Sequence, residues 1–143
     1  MKIKLLIAIM IPLLFVGCDS IFDKGDAEKT FNGAQIGFFL TGAEVNQASG
    51  TYNVEVQLIG EQRNSDVTVA FSTGGSAVSG THYTISGSSV TIPAGSSTAD
   101  ITVNLIDGGL AAGGEVDLVL TITDGSGVKV APNLDEFQIF IQG

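Results

Sequence analysis

The chain has 143 residues, with fifteen Asp plus Glu against six Lys plus Arg, one histidine, one cysteine and no tryptophan. A formal charge of −9 argues against nucleic acid as a partner, because phosphate binding needs a basic face. The lone cysteine excludes an internal disulfide, and the lone histidine leaves no His-rich metal site to assemble and makes His82 the one imidazole available as a general base.

Residues 1–17, MKIKLLIAIMIPLLFVG, set Lys2 and Lys4 ahead of an apolar run from Leu5 to Val16 that is broken only by Pro12. A bilayer core of roughly 30 Å takes about 20 helical residues to cross, so this run is too short to span and reads as a secretory signal peptide. Leu14-Phe15-Val16-Gly17-Cys18 resembles the lipobox of bacterial lipoproteins, in which a small residue precedes the cysteine that is modified. The resemblance implies diacylglycerol on the Cys18 sulfur, cleavage ahead of Cys18 and acylation of the new amine. Acyl chains contribute about 0.8 kcal/mol per buried CH₂, so two or three of them fix a protein on a membrane. The expected location is therefore the cell envelope, at the outer membrane, with Cys18 as the membrane contact. Without the leader the chain carries four basic residues against fifteen acidic ones.

Residues 18–32, CDSIFDKGDAEKTFN, are polar and without periodicity, which predicts a flexible acidic tether. Asp19, Asp23, Asp26 and Glu28 admit two readings: a signal similar to the surface-export signals of some Gram-negative lipoproteins, or solvated linker charge.

From residue 33 to residue 143 the pattern changes to period two. Tyr52, Val54, Val56 and Leu58 alternate with polar residues, as do Val67, Val69 and Phe71, and Ile101, Val103 and Leu105. Val116, Leu118, Leu120 and Ile122 form the longest stripe, and Phe137, Ile139 and Ile141 the last. Such alternation puts one face of each strand on a core and the other in water. Breaks rich in Gly, Ser and Asn separate the runs, with Pro93 and Pro132 at turns or strand starts. The prediction is an all-β, antiparallel Greek-key sandwich of about 7–9 strands, monomeric and immunoglobulin-like.

The segment Ala77-Val78-Ser79-Gly80-Thr81-His82-Tyr83, with Val90-Thr91-Ile92-Pro93-Ala94-Gly95 and the strand from Ile101 to Asp107 after it, resembles a Calx-beta domain. That pattern runs A-x-x-G-x-D-Y, then a strand, a P-x-G turn and an alternating strand ending in acids. The segment also resembles related sandwich domains of surface lipoproteins that accompany bacterial glycan uptake. The likeness covers residues 50 to 142. In calcium-binding members, paired acids follow that strand and recur at the end of the domain. Here Asp107 is followed by Gly108, Glu115 matches the acid that opens the next strand, and the chain closes on Gln142-Gly143. Calcium takes six to eight oxygen ligands, and Asp107, Glu115, Asp117 and Asp124 are the candidates. No other cofactor is implied.

His82 stands where the pattern has Asp, beside Tyr83. The resemblance implies a hydrogen bond that locks the turn, with the Tyr83 ring buried and its hydroxyl reaching backbone at a corner. Asp100, Asp107 and Glu115 raise the question of a glycosidase carboxylate pair. With no tryptophan and no cleft-building insertion, they read as solvated turn acids, and a non-enzyme is expected.

Two aromatics break the alternation. Phe39 faces outward if Ile36, Phe38 and Leu40 face inward, and Phe140 faces outward between Ile139 and Ile141. If the first and last strands are neighbours, these rings form an exposed patch for an envelope protein or a glycan, or else pack on each other across the strand pair. The expectation is a lipid-anchored, non-catalytic binding or structural module. The alternative is an accessory glycan- or calcium-binding lipoprotein of an outer-membrane uptake system.

Overall fold

The structure is a computed structural model that describes residues 33–143. The leader (1–17), Cys18 and the tether (18–32) lie outside the described residues.

Ten strands follow in order: β1 (Gln35–Phe38), β2 (Gly42–Asn46), β3 (Thr51–Ile59), β4 (Val67–Gly75), β5 (Tyr83–Ile85), β6 (Ser89–Ile92), β7 (Thr98–Leu105), β8 (Glu115–Asp124), β9 (Lys129–Val130) and β10 (Glu136–Gln142). A 3₁₀ turn, Gln47–Ser49, joins β2 to β3. The first sheet is ordered β5-β7-β3-β1-β9 and the second β2-β10-β8-β4-β6. The period-two runs supply the facing surfaces: Val54, Val56, Leu58, Ile101 and Val103 from one sheet, Val69, Leu118, Leu120, Ile139 and Ile141 from the other. Phe38 and Phe137 bring the sheets together at 5.8 Å between ring centroids, with Tyr52 next in the row at 6.2 Å from Phe137.

The fold is the all-β immunoglobulin-like sandwich the alternation predicts, with one refinement. The opening strand is split. β1 pairs antiparallel with β3 in the first sheet, and β2 pairs in parallel with β10 in the second. The closing strand divides in the same way, so that β9 lies parallel to β1. Backbone bonds from Ala131 N–H to the Ile36 carbonyl (2.8 Å), Phe38 N–H to Leu134 (2.7 Å) and Gln138 N–H to Thr41 (3.0 Å) keep the two segments side by side through the crossing. The crossing accounts for Leu40. Strand parity would bury it, yet it is 53% exposed because residues 39–41 have left the first sheet.

β1 starts beside Ile59, and β10 ends beside Glu115. The chain therefore enters the sandwich at one end, and β10 finishes at the other. The connections 76–82 and 106–114 lie at that second end, where Ile106 N–H bonds the His82 carbonyl and Gly143 N–H bonds Gly114.

Candidate functional site

The loop end is built on His82. Its Nδ1 accepts a hydrogen bond from Val78 N–H at 2.8 Å, while the Val78 carbonyl accepts from His82 N–H at 2.9 Å and from Thr81 N–H at 3.1 Å. Gly80, at φ 81°, turns the chain so that its N–H reaches the Tyr83 carbonyl. The imidazole thus does the work of a turn acceptor, as the resemblance implied. Tyr83 is 4% exposed and belongs to the core. Among the described residues its hydroxyl has no hydrogen-bond partner, so backbone bonds hold the corner instead.

Gln47 forms the second fastening, and sequence pattern gave no warning of it. Its side chain donates to the Leu110 carbonyl (3.0 Å) and accepts from Leu110 N–H (2.9 Å). Buried to 8% exposure, it satisfies both halves of its amide against the backbone N–H and C=O of one residue and pins the long 106–114 connection.

The acids nominated for calcium are placed as follows. Asp107 is exposed just after β7, and Glu115 opens β8 and accepts from Gln142 Nε2 at 3.3 Å. Asp117 points to the outer face of the second sheet and is held by Ser76. Its Oδ1 accepts from Ser76 N–H at 3.1 Å and from the Ser76 hydroxyl. The Ser76 side-chain bond, followed by its backbone bond, keeps the Asp117 carboxyl below the usual aspartate range. Gly75, at φ 91°, brings its Cα so close to the Asp117 carbonyl oxygen that a side chain there would collide. Asp124 closes β8, about 30 Å from Glu115 at roughly 3.4 Å per residue, and binds Ser126 N–H at 3.3 Å. The four carboxylates therefore do not converge. Among the described residues no group of three or more His, Cys, Asp or Glu side chains is arranged to hold a metal ion.

The two aromatics separate as well. Phe39 is 57% exposed and follows β1 in the first sheet, while Phe140 is half-buried in β10 of the second. The premise of neighbouring first and last strands holds for β2, whose Glu44 stands opposite Phe140, and not for β1 against β10. Across the other flank of Phe140 lies Asp117. The ring sits between two carboxylates.

Phe140 borders a groove with Thr41, Gly42, Glu44 and Gln138. Thr41 and Gln138 also line an adjoining hollow with Val119, Pro132, Asp135 and Glu136. Asp100, the remaining carboxylate considered for catalysis, lies at a different hollow under the β5–β6 connection, beside Asn104, Phe71 and Val90.

No model of a known family matches the chain, and no curated protein is similar to it. Solved structures are. The apo-form Calx CBD1 domain aligns at TM-score 0.67 with 20% identity, over 77% of this chain and 96% of that one. The calcium binding domain CBD12 of CALX1.1 aligns at TM-score 0.66 with 20% identity over 76% of this chain, which spans 44% of that structure's length. A chain of the CsuC–CsuE chaperone–tip adhesion subunit pre-assembly complex, from archaic chaperone-usher Csu pili of Acinetobacter baumannii, aligns at TM-score 0.52. Its identity is 13%, over 76% of this chain and 57% of that one. The class is thereby defined as a Calx-beta-like, immunoglobulin-type β-sandwich. In this chain a histidine is the turn acceptor, and the acids of β8 are held apart.

Proposed function

We propose that the protein is a lipid-anchored β-sandwich of the cell envelope, held at the outer membrane through Cys18, and that it works as a non-catalytic binding module. The observation that carries this reading is the run Leu14-Phe15-Val16-Gly17-Cys18 behind a short apolar leader, with an acidic stretch of chain between it and the sandwich. Two further observations support a non-catalytic role. The solved structures of similar fold include a calcium binding domain and a pilus chaperone–adhesion subunit complex, and the lone histidine is engaged in a turn.

The test is expression of the full chain in a Gram-negative host with labelled palmitate. Wild-type protein should be labelled and sediment with membranes, whereas Cys18→Ala should remain unlabelled and uncleaved. Unchanged processing and fractionation of Cys18→Ala would overturn the proposal.

A second reading, an accessory calcium- or glycan-binding lipoprotein of an uptake system, draws on two observations. One similar structure is named a calcium binding domain, and Asp107 and Glu115 both stand at the loop end. It is the weaker reading, because Asp117 is taken up by Ser76 and Asp124 lies at the opposite end of its strand.

A further inference from the structure

The outer face of the second sheet has a chemistry of its own. Between residues 33 and 143 there are eleven acidic side chains and two basic ones. Neither cation is on this face: Arg63 lies in the β3–β4 connection and Lys129 in β9, at the edge of the first sheet. The groove around Phe140 and the hollow beside it include Glu44, Asp135 and Glu136, and Asp117 flanks the ring. The Ser76 bonds keep Asp117 ionised into acid conditions. Along the same rows Gly42 and Gly74 oppose Gln138 and Val119, so the floor between the acids is low and partly apolar.

The groove runs beside an open edge. Among the described residues, β2 is the terminal strand of its sheet and pairs only with β10. The Thr41 carbonyl accepts from Gln138 N–H, which fixes the phase of the parallel ladder. Ala43 and Val45 then turn their backbone groups toward β10, and Gly42 and Glu44 turn theirs to the free side. An extended segment laid along β2 would pair with those groups and send alternate side chains over the outer face.

We infer that the β2 edge and the Phe140 groove form a docking surface for an extended, basic polypeptide segment whose Lys or Arg side chains sit over the Phe140 ring among Glu44, Asp117 and Glu136. A cation above an aromatic face is attracted by its quadrupole, and carboxylates at the rim add to that attraction. The same charges disfavour the other occupants. A second copy pairing edge to edge would bring Glu44 and its neighbours against like charge, and an anionic lipid surface would be repelled.

This inference rests on the reading of the domain as a binding module but not on its anchor. The experiment uses the purified full chain in detergent and a fluorescent peptide of alternating Lys and Val, followed by anisotropy. Binding should weaken as salt rises, and peptides alternating Glu and Val or Ser and Val should not bind. Phe140→Ser and Glu44→Gln should each weaken binding about tenfold, with the fold verified by circular dichroism. Phe140→Tyr should retain binding, and Asp100→Asn, away from the groove, should leave it unchanged. Failure to bind the Lys–Val peptide, equal binding of the neutral peptide, equal loss with Asp100→Asn, or displacement by a neutral oligosaccharide would each overturn the proposal. Cys18→Ala should leave peptide binding intact, so loss of the anchor and loss of the groove are read separately.

Discussion

At the scale of single residues, His82 and Asp117 carry polar side chains that organise loops. The His82 ring offers Val78 N–H an acceptor at 2.8 Å within the same turn. Replacing it with Ala should destabilise the fold by about 0.5–1 kcal/mol, since Val78 is exposed enough for water to compensate in part. His82→Asp should restore most of that loss, and urea unfolding of both variants measures it. Asp117 titrates lower in the fold than in an unfolded chain because Ser76 bonds its charged form. Its stabilising contribution should therefore be complete above about pH 4. It should fade as pH falls further through the lowered folded value. Acid titrations of wild type and Asp117→Asn should diverge at neutral pH and converge in strong acid. A constant difference between them would sink this account.

At the scale of elements, the alternation in the sequence was enough to place β3, β4, β7, β8 and β10 and to choose their buried faces, because period two leaves little freedom once one face is apolar. It did not resolve the ends of the chain. Gln35 to Leu40 reads as one strand, but the strand breaks at Phe39 because residues 42–46 find a better partner in β10 than in β3. Contacts of that kind between distant segments leave no mark on local pattern. The Gln47 clamp and the Ser76–Asp117 bonds went unseen for the same reason, each joining residues far apart in sequence. The turn role of His82 was legible through the resemblance to the Calx-beta turn pattern, whose motif spans the four residues between His82 and its partner Val78. Gly37 packs against the 131–135 segment, and a Cβ there would lie 2.7 Å from the Leu134 Cβ. Gly37→Ala should accordingly cost about 1–3 kcal/mol by overpacking, measured as a lower denaturant midpoint at unchanged slope.

At the scale of the whole molecule, the sandwich gives its two ends and two faces different tasks. β1 begins at one end, the other gathers the long connections, and the acidic outer face of the second sheet lies along the side. The paired crossing of the first and last strands bears on how the domain responds to force. β2 and β10 run in the same direction, with the chain entering below the first and β10 finishing above the second. If the N-terminal side is fixed to a membrane and a load is applied at the far end, these strands are drawn lengthwise past each other. Their rungs then share the tension and fail together, where an antiparallel pair pulled from one end would open rung by rung. The split opening strand is thus a shear joint placed where an anchored domain would first be tugged.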